Sequence, residues 1–182
     1  LFAYWDYDNA VLVIEDEFAA NQITTSVLAK NILEKEASTW KNAATNEVPD
    51  IYRRVSDNNL IVINDLSVDY DLHFIPTDKH DKLSWMSELK RMIEAHQVII
   101  NPRCKTLISH MRSASWDKHK KDFKRHTDGH HYDAVAALLY LSRNIDKTRS
   151  PYPAGYKYQQ LGNAAEVFVN PYTDNAEYTN PE

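Results

Sequence analysis

Cysteine and glycine are the residue types that this sequence nearly lacks. Cys104 is the single cysteine among 182 residues, so the chain forms no internal disulfide and a cysteine-rich zinc site is excluded. The three glycines stand apart, and none belongs to a phosphate-cradling loop. Neither Gly-x-Ser-x-Gly nor His-Glu-x-x-His occurs. The sequence therefore contains no motif of a phosphate-binding loop, of a Gly-x-Ser-x-Gly hydrolase or of a His-Glu-x-x-His metalloprotease. The lone cysteine fits a reducing compartment.

Long apolar runs are missing as well. No run approaches the roughly 20 residues that span a bilayer, and the first residues show no basic-then-apolar leader pattern. We therefore predict a globular protein, and 182 residues are enough for one domain with its own core. Because Leu1-Phe2 opens directly in a β-rich run, we expect the sequence to be a part of a larger protein.

Positive charge is scarce except in one stretch. The net charge is −5, yet residues 103–125 contain eight Lys or Arg and two Asp, which gives +6 there and leaves −11 elsewhere. A basic stretch on an acidic body indicates a local anion-binding face. A solvated helix face is the common alternative for such a charge run.

The apolar pattern predicts an α/β fold with a mixed sheet flanked by helices. Runs 2–7 and 11–18 form a hairpin across a polar turn at Asp8-Asn9, and the second run is apolar enough to be covered on both faces. Further predicted elements are a helix over 24–36, a polar loop over 38–50, strands over 51–55, 72–75 and 98–100, and helices over 60–66, 81–95, 104–111 and 130–144. We expect one domain over 1–146 and an irregular Tyr-, Pro- and Asn-rich tail over 147–182.

A polar cluster stands at the front of the last predicted helix. Asp133 falls in its first turn, where a carboxylate favours the positive helix end. His130 lies three residues earlier on the same face. The small residues Ala134, Ala136 and Ala137 let the helix approach the sheet closely and carry Asp133 toward the strand ends. The cluster is either a helix cap or part of a metal or catalytic site.

A second carboxylate, Asp57, follows a predicted strand. Ser56-Asp57-Asn58 is a good turn sequence, but α/β sheets also place ligand groups at strand ends. Two carboxylates from distant parts of the chain at one sheet edge suit Mg²⁺, which prefers oxygen ligands. Within Glu15-Asp16-Glu17, one side chain can approach the same site, although a solvated strand end is the commoner outcome. The other histidines are scattered without metal-ligand spacing.

Several segments together resemble the nuclease domain of phage terminase large subunits, which are DNA-packaging motor proteins with a ribonuclease-H-like fold. The segments are VIEDEF, SDN, IPTDKHDK, VIINPRC and TDGHHYDAVAALLYL, and the resemblance covers roughly residues 2–146. The last segment is the strongest match. The resemblance implies a metal-dependent endonuclease that cuts concatemeric double-stranded DNA.

The resemblance also implies an acidic site. The family's second acid falls on Asp57, its third on Asp133, and His130 matches a histidine of some members. The first acid should stand on a strand before Leu1. We therefore expect either that the sequence omits this first strand, which the start within a β-rich run favours, or that the site is defective, and without the first acid the chain can be inactive. Two Mg²⁺ or Mn²⁺ ions about 4 Å apart would clamp the attacking water and the leaving oxygen.

The partners that the resemblance implies are DNA, the preceding ATPase domain, the portal protein and the small terminase subunit, at the assembling procapsid in the host cytoplasm. DNA phosphates would meet the stretch 117–126, with Lys118, Lys120, Lys121, Lys124 and Arg125, and also Lys79. Two alternatives stay open. One is another ribonuclease-H-like nuclease, integrase-like or junction-resolving, and the other is a non-catalytic docking module.

Overall fold

The computed structural model describes residues 1–115, Phe123 and 131–145, and within them the chain is α/β. The predicted tail over 147–182 lies outside the described residues. The elements are β1 (Phe2–Asp6), β2 (Val11–Asp16), α1 (Thr25–Trp40), β3 (Arg54–Ser56), α2 (Leu60–Tyr70), β4 (Phe74–Pro76), α3 (Lys82–Glu94), β5 (Val98–Ile100), α4 (Lys105–Ser113) and α5 (Asp133–Arg143). None of the helices in this part of the chain is long and apolar enough to cross a membrane.

The larger sheet is mixed, with the strand order β1-β2-β5. Strands β1 and β2 form the predicted antiparallel hairpin, and β2 pairs with β5 in parallel. The turn between β1 and β2 is held by Asp6, whose carboxylate accepts hydrogen bonds from Asn9 N–H at 3.0 Å and from Asn9 Nδ2 at 2.7 Å. The mixed α/β pattern that the sequence predicts is therefore confirmed.

Helices cover this sheet on both faces, because alternate side chains of a strand point to opposite sides. On one face Leu12 and Ile14 pack with Leu138 of α5 and with residues of α3 and α4. On the other face Tyr4 and Val13 pack against Trp40 of α1, among other residues. The prediction that the second strand is covered on both faces is confirmed, since its residues from Leu12 onward are buried.

Several predicted boundaries are wrong, among them the three that follow, and burial explains the first of these. Helix α1 continues to Trp40 rather than Glu36, because the packing of Trp40 against the sheet stabilises a further helical turn. Helix α2 continues to Tyr70 and ends at Asp71, which has a left-handed backbone with φ of 56°. Strand β3 begins three residues later than predicted, at Arg54, where it starts to pair with β4.

Strands β3 and β4 form a separate two-stranded parallel sheet. Their carboxyl ends lie side by side, with Ser56 opposite Pro76. The Thr77 N–H extends this pairing by donating to the Ser56 carbonyl at 2.8 Å. The residues that follow both strands, Asp57 and the loop 77–81, therefore share one edge of the structure.

Candidate functional site

Asp57 comes directly after β3, at the carboxyl end of the parallel pair. Its side chain is 49% exposed, so the carboxylate is accessible to solutes. The carboxylate accepts a hydrogen bond from the Asn58 N–H, as in an ordinary turn. It also forms an ion pair with the Lys79 ammonium across the edge. The position after a strand is as the sequence predicts.

The loop 77–81, which carries that lysine, is fixed to the C-terminal end of α5. Arg143 Nη2 donates to Asp78 Oδ2 at 2.9 Å, and Asn144 Nδ2 donates to Thr77 Oγ1 at 3.0 Å. Arg143 also stacks over an aromatic ring of α3. These bonds place the end of α5 beside the carboxyl ends of β3 and β4.

Sequence reasoning missed this anchoring loop. The hydrogen bond from the His80 N–H, together with Arg143, lowers the pKa of Asp78 below its ordinary value of 3.8. Lys79 is an expected phosphate contact, but its pairing with Asp57 depends on how distant segments pack. Only the polar cluster in IPTDKHDK hinted that the segment has a role.

Asp133 is the first residue of α5, and it is exposed. The predicted place in the first turn is confirmed. The start of α5 lies beside the end of α4, because Tyr132 Oη donates to the Ser113 carbonyl at 2.9 Å. Since α5 has 11 residues, it is about 16 Å long at about 1.5 Å per residue. Asp133 is therefore at the far end of α5 from the loop 77–81.

The structure does not bring Asp57 and Asp133 together. Ala134 packs against the core and Ala137 lines a groove beside β1, so the small residues face the sheet as predicted. The end of α5 that reaches the carboxyl edge of β3 is, however, the end with Asn144. In the described part of the chain, no group of three or more His, Cys, Asp or Glu side chains could hold a metal ion. As arranged here, the two carboxylates do not fit a two-metal site.

The remaining predicted site residues are not described. His130 and the predicted DNA contacts Lys118, Lys120, Lys121, Lys124 and Arg125 all lie outside the described residues. Phe123 is the one described residue of this stretch, and its ring lies 4.9 Å from the Lys82 ammonium of α3. Phe123 therefore lies beside the N-terminal end of α3.

The acidic run at the end of β2 has structural roles. Glu17 accepts hydrogen bonds from the N–H groups of Thr106 and Leu107 at 2.6 and 2.9 Å, and so it stabilises the start of α4. Asp16 pairs with Lys35 of α1 at 2.7 Å. Glu15 is only 2% exposed. The expectation of a solvated strand end is wrong here, because the run is covered by α1 and α4.

Burial raises the pKa of Glu15 above its ordinary value of 4.5, although Arg103 and a 3.1 Å hydrogen bond from Asn101 oppose the rise. At pH values between the ordinary pKa and the raised pKa of Glu15, the folded protein binds more protons than the unfolded chain. The Glu15 carboxyl group therefore lowers the free energy of unfolding as the pH rises. We expect Glu15→Gln to gain stability relative to the wild type as the pH rises above 4.5, by about 1.4 kcal/mol per unit of pKa shift.

Urea unfolding of both proteins at each pH measures this difference. Other carboxyl groups titrate in both proteins and cancel in the comparison. A difference that stays constant or falls as the pH rises would contradict the role assigned to Glu15.

Comparisons with known proteins do not supply a family for this chain. No family model matches it, and no curated protein or solved structure matches it either. The function of the chain is therefore inferred from its residues and from the geometry of the described part of the structure.

Proposed function

We propose that the chain is part of a metal-dependent endonuclease, the nuclease domain of a viral genome-packaging motor of the terminase large-subunit type. The observation that supports the proposal most is Asp57, an accessible carboxylate at the carboxyl end of a parallel strand pair with a cationic side chain on it. Strand ends of this kind are where α/β proteins place ligand groups. The order and spacing of the five sequence segments supply the rest of the support.

The proposed fold is ribonuclease-H-like. Three described features are consistent with it: an antiparallel hairpin, a following parallel pair joined by a helix, and helices on both faces. In this fold Asp57 and Asp133 contribute to one acidic site with His130, and a strand before the hairpin contributes the first aspartate. The proposed substrate is double-stranded DNA, and the proposed partners are the ATPase domain, the portal and the small subunit.

In the described arrangement Asp57 and Asp133 are too far apart to bind the same two metal ions. Asp133 begins α5, whereas Asp57 lies near the loop that binds the other end of this helix. The proposal therefore requires that the N-terminal end of α5 reach the edge that carries Asp57 in the assembled protein. Mg²⁺ or Mn²⁺ would then supply the electrostatic stabilisation for phosphodiester hydrolysis. The residues of this chain would supply oxygen ligands and, through the stretch 117–126, contacts to DNA phosphates.

A cleavage assay tests the proposed function. The substrate is linear double-stranded DNA, and the protein is the full polypeptide that contains residues 1–182. We expect cutting in Mn²⁺ with little sequence preference, and none when EDTA removes the metal. Preferential cutting of branched DNA would favour a junction-resolving enzyme, and joining to a donor DNA would favour an integrase-like one. No cleavage of any substrate would contradict the nuclease.

The second candidate is a non-catalytic docking module. The observation that favours it is a groove with mainly apolar walls, lined by residues of β1, β3, α1 and α5. The separation of Asp57 from Asp133 is also consistent with a module that binds but does not cut. Loss of all metal-dependent cleavage together with intact binding to partner proteins would favour this candidate.

A further inference from the structure

Helix α4 carries its apolar and its basic residues on different faces. Leu107 is fully buried, and Met111 packs against the same core cluster. Lys105, Ser109 and Arg112 are exposed, and their spacing of four and three residues places them together on another face of the helix. One face of α4 is therefore held in the core, and the exposed face presents two positive charges to solvent.

The two cations of this exposed face have no acidic partner. In the part of the chain that the structure describes, no carboxylate forms an ion pair with Lys105 or with Arg112. Arg54 and Arg143, by contrast, each form an ion pair with a carboxylate. Because no neighbouring negative charge neutralises them, the charges of Lys105 and Arg112 remain available to an external anion.

The spacing of the two cations suits an extended polyanion. A shallow depression follows this face, and the described residues that line it are Pro102, Lys105, Ile108, Ser109, Arg112 and Ser113. Lys105 and Arg112 are seven residues apart, which is about 10 Å along the helix axis at about 1.5 Å per residue. This distance corresponds to about three base steps of one DNA strand at about 3.4 Å per step. The two side chains can therefore contact separate phosphates, and the Ser109 hydroxyl between them can donate to a phosphate oxygen.

Other negatively charged partners fit the exposed face of α4 less well. A helix that lies on a membrane inserts its apolar face among the lipids, whereas the apolar face of α4 is packed in the core. Protein interfaces are typically anchored by aromatic side chains, and none of the described residues that line the depression is aromatic. A nucleic-acid backbone needs only cations and hydrogen-bond donors.

We propose that the exposed face of α4 binds the phosphate backbone of double-stranded DNA through Lys105 and Arg112, without contacts to the bases. A duplex fixes the spacing of its phosphates, and a helix fixes the spacing of its side chains. This face adds to the predicted contacts of the stretch 117–126. Phe123 of that stretch lies 6.2 Å from the Tyr132 ring, and Tyr132 Oη donates to the Ser113 carbonyl. Phe123 therefore lies close to the end of α4 that carries Arg112.

The position of this face also bears on the proposed nuclease, and this step rests on the proposed function. Because Tyr132 binds Ser113, the end of α4 with Arg112 adjoins the start of α5, where Asp133 lies. DNA bound along α4 therefore reaches the end of α5 that carries Asp133 rather than the end beside Asp57. The binding itself requires neither a metal ion nor cleavage.

Equilibrium DNA binding over a series of salt concentrations tests the proposal. The full polypeptide that contains residues 1–182 is titrated onto a labelled duplex in the presence of EDTA. We expect the double variant Lys105→Ala, Arg112→Ala to bind about tenfold more weakly at physiological salt. The slope of log affinity against log salt concentration should become shallower by about 1.8, because each lost phosphate contact removes about 0.9. The double variant Lys105→Arg, Arg112→Lys keeps both charges and should bind as the wild type does.

The matched control is Lys41→Ala, which should leave the affinity unchanged. Lys41 is exposed, and in the described part of the chain it forms no ion pair. It follows Trp40 at the end of α1, and α1 covers the opposite face of the larger sheet from α4. Lys41→Ala therefore removes the same kind of charge from the other side of the molecule.

Four results would overturn the proposal. Equal weakening by Lys41→Ala would mean that only the net charge matters. Undiminished binding by the alanine double variant would assign the DNA contacts to other residues. Tighter binding of the wild type to single-stranded nucleic acid, or to anionic vesicles, than to the duplex would assign the face to a different partner. Because binding is measured without metal, its failure is distinct from failure of the nuclease, and a protein that binds through α4 but does not cut contradicts the nuclease alone.

Discussion

Replacing Asp133 with alanine is expected to abolish Mn²⁺-dependent DNA cleavage by the proposed enzyme while leaving the fold intact. Loss of a group that only supports a metal ligand typically costs 10- to 100-fold, so loss of a ligand should cost more than about 100-fold. The structural role of Asp133 is small, because an exposed carboxylate at a helix start contributes about 0.3–1 kcal/mol. The measurements are the cleavage rate and the free energy of unfolding of the same variant.

The control for this variant is Asp69→Ala, which removes another exposed carboxylate from a helix, α2. It should leave the cleavage rate unchanged. Comparing the two variants separates the loss of a metal ligand from the general effect of removing a negative charge. Undiminished cleavage by Asp133→Ala would show that Asp133 is not part of the site, whatever the activity of the protein.

Local patterns were sufficient for much of the fold. Patterns among residues a few positions apart predict the hairpin, β5 and the cap of α1 by Thr24. These patterns are the alternation of apolar residues, short apolar runs and capping chemistry. The positions of Asp57 after a strand and of Asp133 in the first turn of a helix are predictable for the same reason. Each depends on the residues immediately around it.

The relations between distant segments were not predictable. Nothing near Asp57 in the sequence indicates that Lys79 pairs with it, and nothing near Asp133 indicates that α5 presents its other end to β3. Arg143 and Asn144 decide that orientation by binding the loop 77–81. Such hydrogen bonds depend on how side chains from distant segments fit together in the folded protein. The periodicity of apolar residues along the sequence does not reveal that fit.

The end of α1 is an intermediate case. The polar appearance of residues 38–50 suggests a loop, yet Thr39 and Trp40 are buried and helical. Trp40 meets Tyr4 in an edge-to-face contact with ring centroids 6.0 Å apart. A tertiary contact of an aromatic ring thus extends the helix where local polarity predicts its end.

The ion pair between Arg54 and Glu36 gives the largest expected effect on stability. Glu36 is buried at 5% exposure, and its two carboxylate oxygens accept from Arg54. Arg54→Ala leaves that carboxylate buried without its partner, so we expect the free energy of unfolding to fall by about 3 kcal/mol. The double variant Arg54→Met, Glu36→Leu removes both charges and should lose less than about 1 kcal/mol.

The control is the exposed pair on the same helix, Lys30 and Glu34, whose charged atoms lie 3.7 Å apart. Lys30→Ala should cost at most about 0.5 kcal/mol, because water screens an exposed pair. Urea unfolding of the single and double variants measures all of these costs. Since Arg54 belongs to β3 and Glu36 to α1, a large coupling energy means that this bond holds the β3 wall of the groove against α1. A double variant as unstable as Arg54→Ala would instead show that shape, and not charge, holds that wall in place.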